Sequence, residues 1–331
     1  MSFLKSSKKS MKNQKSDDSL KKLVIASRGS QLALWQSEHI KARLEELNPG
    51  MEVEIKIYKT TGDKILDVPL AKIGGKGLFT KELEEAMQRG DAHIAVHSLK
   101  DVPTQFEPGF VLGAVTKRED VRDAFLSEKY ASLDALPKGA VVGTTSLRRK
   151  MQLLKVRPDL YIKDLRGNVQ TRIQKLKDGI YDAIILAAAG MNRLGLRTEV
   201  KYLVSIDKDV MIPAMGQAAL GIECIDDPEV LAIVDKLNDE ASVVETTIER
   251  DFIDTLDGGC QVPIGVSAKL YNDGKVDLEA IVGMPDATEF IYERTSTTKE
   301  AYKTVGKEFA QLFVDKGARE LLKRAEAIAF K

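Results

Sequence analysis

The chain has little cysteine, no long apolar run and no excess of either charge. Two cysteines in 331 residues exclude a disulfide framework. No stretch reaches the roughly 20 apolar residues that a membrane helix needs, so no membrane partner is expected. The opening residues are rich in Lys and Ser with no apolar centre, which is neither a secretory signal nor an Arg-rich presequence. These absences predict a soluble, cytoplasmic protein with a disordered N-terminal extension over 1–21. Lys plus Arg and Asp plus Glu both number 50. No global field therefore attracts nucleic acid, no nucleic-acid partner is expected, and any anion site must arise from local clustering. The histidines His39, His93 and His97 lack metal-ligand spacing; they are assigned to helix and strand faces, and no metal is expected. A GxxxxGK[ST] phosphate loop and a GxSxG nucleophile elbow are missing too.

What is present is alternation. The length predicts two or three domains. Short apolar runs at 23–26, 94–96, 111–115, 140–142, 160–162 and 183–186 are separated by helical patterns, the signature of βα units around largely parallel sheets. Val53, Ile55 and Ile57 alternate like a half-exposed strand. After Ser27-Arg28-Gly29-Ser30 a helix should carry Leu32, Trp35, Ile40, Leu44 and Leu47 on one broad face, ending near Pro49-Gly50. After 241 the pattern changes to a helix over 243–256, two strand-like runs joined by Asn272-Asp273-Gly274, a third strand near 290–292 and two closing helices. An NDG turn between alternating runs is a strong hairpin signal. The fold expected is α/β followed by a C-terminal α+β domain with a three-stranded antiparallel sheet.

Cationic residues recur just after the predicted strands: Arg28, Lys100, Arg148 with Arg149, Arg166 and Arg193, with Arg172 one helical stretch further on. In open α/β sheets the ligand crevice lies beyond the carboxyl ends of the strands, so these side chains should converge. Ser30, Thr144, Thr145 and Ser146 add hydroxyls and helix N-terminal amides, which suit anions. Guanidinium forks match carboxylates or phosphates, and so many of them imply several anionic groups on one ligand. Asp101 is the one acid in this basic set. It is either a turn acid near Pro103 or an acceptor that stabilises positive charge developing on a ligand. The glycine-rich stretch 73–79 reads as a surface loop or as a lid, with Lys72 and Lys76 closing on anions and Phe79 covering rings. Cys224 lies in an apolar run and reads as a buried small hydrophobe, whereas Cys260 follows Gly258-Gly259 and reads as a reachable thiol.

Residues 26–33 (ASRGSQLA), the GGKGLF stretch, 97–103, 143–149, 165–169 and 258–265 together resemble the porphobilinogen deaminase (hydroxymethylbilane synthase) family, in order from about Leu23 to the C-terminus. The resemblance implies two lobes like those of periplasmic binding proteins and a third domain bearing the cysteine. The division would be 22–117 with 213–238, 118–212, and 239–331, with a hinge around 116–118 and Pro213. It implies a dipyrromethane cofactor held through a thioether on Cys260. On that primer four porphobilinogen units are deaminated and joined before the linear tetrapyrrole is released by water. Asp101 matches the family's catalytic aspartate. Ser30, Lys100, Asp101, Thr144, Ser146, Arg148 and Arg149 match cofactor-binding positions, and Arg28, Arg149, Arg166, Arg172 and Arg193 match substrate-binding ones. A monomer handing its product to uroporphyrinogen-III synthase is the implied setting.

Three positions depart from the family pattern. The usual Gly-Gln-Gly-Ala reads Gly216-Gln217-Ala218-Ala219, Asp257 stands for the usual glutamate, and Thr145 for serine. Two rivals remain at this stage. One is a non-catalytic two-lobe anion-binding protein, which has no use for an exposed thiol and normally carries an export signal. The other makes Cys260 an acyl-transfer nucleophile, which needs a nearby base, and the C-terminal domain contains no histidine.

Overall fold

The computed structural model describes residues 20–64, 80–257 and 262–329. A first sheet takes β1 (Lys22–Arg28), β2 (Glu52–Tyr58), β3 (Ile94–Ser98) and β4 (Phe110–Val115). The chain then crosses to a second sheet formed by β5 (Asp123–Ser127), β6 (Val141–Gly143), β7 (Tyr161–Lys163), β8 (Ala183–Ala187) and β9 (Tyr202–Ser205). It returns as β10 (Leu220–Ile225), which inserts antiparallel between β3 and β4. The strand orders are β2-β1-β3-β10-β4 and β7-β6-β8-β5-β9. Each sheet therefore has one antiparallel strand, and in each case it is the strand next to a crossing between the lobes. Two connections join the lobes, so the carboxyl ends of both parallel sets can face one cleft.

Apart from a single α-helical turn at Thr61–Lys64, the α-helices among the described residues are α1 (Gln31–Leu47), α2 (Lys81–Gln88), α3 (Leu147–Val156), α4 (Val169–Lys177), α5 (Ala188–Arg193), α6 (Pro228–Val234), α7 (Glu240–Thr255), α8 (Val305–Asp315) and α9 (Ala318–Ala329). Ser30 caps α1 by accepting from Ala33 N at 3.3 Å, and Asn48 closes it by donating Nδ2 to Leu44 O at 2.9 Å. The buried face of α1 is Ala33, Gln36, Ser37, Ile40 and Leu44. This differs from the expected stripe because Leu32 and Trp35 are only half-buried. They turn towards the second lobe, and small or polar residues meet the sheet instead: Ser37 Oγ bonds Ser27 Oγ at 2.8 Å and Gln36 Nε2 donates to Ser98 Oγ at 2.8 Å.

The third unit is the antiparallel meander β11 (Ile264–Leu270), β12 (Lys275–Gly283) and β13 (Phe290–Thr298) with α7, α8 and α9 on one face. Gly274 supplies the positive φ of +84° that the NDG turn requires. Phe252, Phe309 and Phe313 meet with centroids 5.1 to 5.5 Å apart at the centre of its core. Burying each such ring contributes about 1.5–3 kcal/mol. Leu20 packs on the first core and Lys21 O accepts from Glu52 N at 2.9 Å; the rest of the extension expected over 1–21 lies outside the described residues. Cys224 is fully buried, and burial pushes its thiol up to about 12, so it is inert at neutral pH.

Candidate active site

Asp101 closes a single 3-10 turn, Leu99–Asp101, directly after β3. Leu99 is completely buried and its N–H donates to Ala219 O at 3.0 Å, which anchors the turn and leaves the Asp101 carboxylate exposed. Beside it Lys100 is half-buried. Burial lowers its pKa to about 8; the charge of Asp101 works against that fall and the charges of Arg149 and Arg148 add to it.

From the second lobe, Ser146 caps α3 and puts Arg148 and Arg149 in its first turn. Both side chains are buried and close on Asp123 at the start of β5, which is 0% exposed. Arg148 Nη1 reaches Asp123 Oδ2 at 2.7 Å and Ile212 O at 2.8 Å. Arg149 Nη2 lies 2.7 Å from Asp123 Oδ1, and Arg149 Nη1 donates to Ile185 O at 3.0 Å. Burial alone would push the Asp123 carboxyl up, but the two guanidiniums outweigh it and hold it well below the ordinary carboxylate range. Gln217, on the returning crossover, donates Nε2 to Val121 O at 2.8 Å and Asp123 Oδ1 at 3.2 Å, and its Oε1 accepts from Lys100 Nζ at 3.5 Å. One amide thus links the Lys100 turn of the first lobe to the Asp123 cluster of the second.

Arg172 on α4 donates Nε to Gly167 O at 2.8 Å. Burial, then the charges of Arg149 and Arg166, lower its pKa to about 10, so it stays cationic at neutral pH. Asp101 acts electrostatically on Lys100, Arg149 and Arg172. The structure therefore gathers Lys100, Asp101, Arg148, Arg149, Arg166 and Arg172 into one group drawn from both lobes. Thr144 is buried and its Oγ1 accepts from Ser146 N at 3.1 Å. Arg28 and Ser30 lie at the end of the neighbouring β1. Arg193 is set apart: its Nη2 donates to Ala218 O at 2.6 Å and its guanidinium lies over the Trp35 ring at 5.9 Å. Cys260 and the lid residues Lys72, Lys76 and Phe79 lie outside the described residues.

Sequence reasoning missed Asp123, Gln217 and the buried network at the lobe connection. There Arg118 donates to Glu249 at 2.7 and 3.2 Å and to Gln217 O at 3.0 Å, and Glu249 also accepts from Gly216 N at 2.7 Å and Ala268 N at 3.0 Å. The available signal was an acid opening an apolar run, Asp123 before Ala124-Phe125-Leu126, in a chain with two adjacent arginines that need a counter-charge when buried. Two of the three departures from the family pattern fall at positive φ. Ala218 sits at φ +73°, where glycine is favoured, and Asp257 at φ +55°, a conformation that aspartate tolerates better than most residues.

Two α/β lobes bring cations near their strand ends together with one exposed carboxylate, a set of groups suited to ligands that carry several carboxylates. The family profile described as the porphobilinogen deaminase dipyromethane cofactor binding domain matches residues 23–232, and that of the porphobilinogen deaminase C-terminal domain matches 243–315. The porphobilinogen deaminase of Aliarcobacter butzleri is 62% identical over 94% of this chain and 100% of its own length. That of Nitratiruptor sp. is 63% identical over 94% of this chain and 99% of its own. Among solved structures, the periplasmic VFT2 domain of Bordetella pertussis BvgS is a loose likeness, with TM-score 0.40 and 14% identity over 66% of this chain and 87% of that one. The chain belongs to the porphobilinogen deaminase family.

Proposed function

We propose that this protein is a hydroxymethylbilane synthase, a transferase that deaminates four porphobilinogen molecules and joins them head to tail, then releases the linear tetrapyrrole by hydrolysis. The observation that carries this reading is a group of cations drawn from both lobes, three of which, Lys100, Arg149 and Arg172, feel the charge of the exposed Asp101 carboxylate. Porphobilinogen bears an acetate and a propionate on each ring, so a growing chain presents many carboxylates to guanidinium forks.

A dipyrromethane fits the same donor set, since its acetates and propionates need several cations and its pyrrole N–H groups need an acceptor. Ser30, Lys100, Thr144, Ser146, Arg148 and Arg149 would hold it, with Cys260 as the thioether anchor. When bound, it supplies the nucleophilic pyrrole carbon from which the product chain grows. Asp101 accepts hydrogen bonds from pyrrole N–H and stabilises positive charge on the substrate ring as ammonia leaves. Arg28, Arg149, Arg166, Arg172 and Arg193 orient substrate carboxylates, and Lys72, Lys76 and Phe79 cover the cleft.

The domain division that goes with this reading is 22–117 with 213–238, 118–212, and 239–331. We place the enzyme in the cytoplasm as a monomer, with its product passing to uroporphyrinogen-III synthase. No helix among the described residues is long and apolar enough to cross a membrane. The non-catalytic alternative is not favoured by relatives that are named as deaminases over nearly their full length.

Intact mass tests the anchor. The purified protein should exceed its sequence mass by one dipyrromethane, and Cys260→Ala should return it to the bare mass without turnover. An unmodified, fully active protein would remove Cys260 from its role. Asp101→Ala should stay folded and lose nearly all turnover, and normal rates in that variant would remove Asp101.

A further inference from the structure

We propose that Trp35 is a positioning residue for Arg193, holding that guanidinium in place from the opposite lobe. Trp35 lies on α1 of the first lobe, yet it is absent from the helix face that packs on the sheet. Its ring is turned to the second lobe, where the Arg193 guanidinium sits 5.9 Å from the ring centroid. That separation is within the range of a cation–π contact. Arg193 is the last residue of α5, and its Nη2 is fixed by Ala218 O at 2.6 Å on the returning crossover. The guanidinium is thereby defined by two elements outside its own lobe.

The surrounding contacts repeat this arrangement. Gln170 Nε2 on α4 donates to Gln31 Oε1 on α1 at 2.6 Å. Gly190 on α5 faces Leu32 of α1: a Cβ there would lie 4.0 Å from Leu32 Cδ2, at ordinary contact distance. One turn along α1, the His39 ring stacks on Trp35 with its centroid 5.1 Å away and its plane tilted by 6°. The indole thus contacts an imidazole on its own helix and a guanidinium from across the cleft.

The chemistry suits a positioning role. A ring face holds a cation without taking up its N–H donors as an acceptor oxygen would, so the donors of Arg193 not bound to Ala218 O stay free to meet a carboxylate. Aliphatic packing alone would fill the space beside Arg193 but would not draw a cation onto a ring face. The proposal rests on the reading of Arg193 as a substrate-side residue, so the experiment separates the two.

The variants are Trp35→Phe, which keeps an aromatic face, Trp35→Leu, which keeps apolar bulk without one, and Arg193→Ala. Each is compared with the wild type as cofactor-loaded enzyme, with loading checked by mass. Trp35→Phe should stay within roughly two-fold of the wild-type KM for porphobilinogen. Trp35→Leu should raise KM roughly three- to twenty-fold, with a smaller change in kcat and an unchanged Tm. In Trp35→Leu/Arg193→Ala the two effects on KM should not add. The chain has one tryptophan, so its emission reports this contact directly, and Arg193→Ala should change the emission intensity or maximum in the absence of substrate. A raised KM in Arg193→Ala with Trp35→Leu indistinguishable from the wild type would overturn the positioning role alone. Unchanged tryptophan emission in Arg193→Ala would overturn the contact. An unchanged KM in Arg193→Ala would remove Arg193 from substrate binding, and the proposal with it.

Discussion

Asp123→Asn is the sharpest test of how the basic cluster is held. The carboxylate is 0% exposed and is met by Arg148 Nη1 at 2.7 Å, Arg149 Nη2 at 2.7 Å and Arg149 Nε at 2.9 Å. An amide keeps the shape but not the charge, and it turns an NH2 towards one guanidinium. Two buried cations then face no counter-charge, and breaking a buried pair in this way costs about 3–5 kcal/mol. For a chain of 331 residues that corresponds to a fall in Tm of roughly 4–7 °C, read by calorimetry or circular dichroism. The acid limb supplies an independent reading. A carboxyl whose folded pKa lies below its unfolded value of about 3.9 adds stability that is fully present above that value and lost as pH falls through the folded one. The folded Asp123 carboxyl is depressed in this way. The variant should therefore be destabilised at pH 7 and should lose less stability than the wild type on acidification below about pH 4. A wild-type Tm together with a wild-type acid limb would refute the ion cluster as the organiser of Arg148 and Arg149.

Ala218→Gly should stabilise the protein by about 0.5–1 kcal/mol, since relief of strain at φ +73° exceeds the extra unfolded-state freedom of glycine; urea unfolding measures it, and a loss of stability would show that packing of the Ala218 methyl outweighs the strain. Burial lowers Lys100 to about 8, so affinity for porphobilinogen should fall as pH rises through that value while global stability rises slightly, because the unfolded lysine still binds its proton there. Lys100→Arg should move that fall in affinity to higher pH, and a KM–pH profile identical to wild type would disconnect Lys100 from anion binding.

Local signals made β1 to β4 and β6 to β8 readable and left β5, β9 and β10 hidden. Runs such as 183–186 are buried on both faces and followed by a helix, so composition alone marks them. β10 contains Gly221 and Glu223, neither a strand former, and becomes a strand because β3 and β4 pair with it on both sides. β5 opens on Asp123 for a reason lying 25 and 26 residues away in Arg148 and Arg149. The candidate site shows the same division. Which strand ends carry cations follows from spacing, and their convergence follows from the rule that ligands sit at carboxyl ends. How each cation is held does not follow, because a counter-ion is chosen by three-dimensional proximity and leaves no periodicity. Arg148 illustrates the consequence. Read from sequence it is one more group offered to a ligand; in the fold its Nη1 binds both Asp123 and the carbonyl of Ile212, and Pro213 O next along accepts from Val266 N of β11 at 3.1 Å. The same guanidinium that borders the cleft therefore fixes the segment on which the cysteine-bearing domain is docked. In the function proposed above, anion binding at Arg148 would be coupled to the placement of that domain through one side chain.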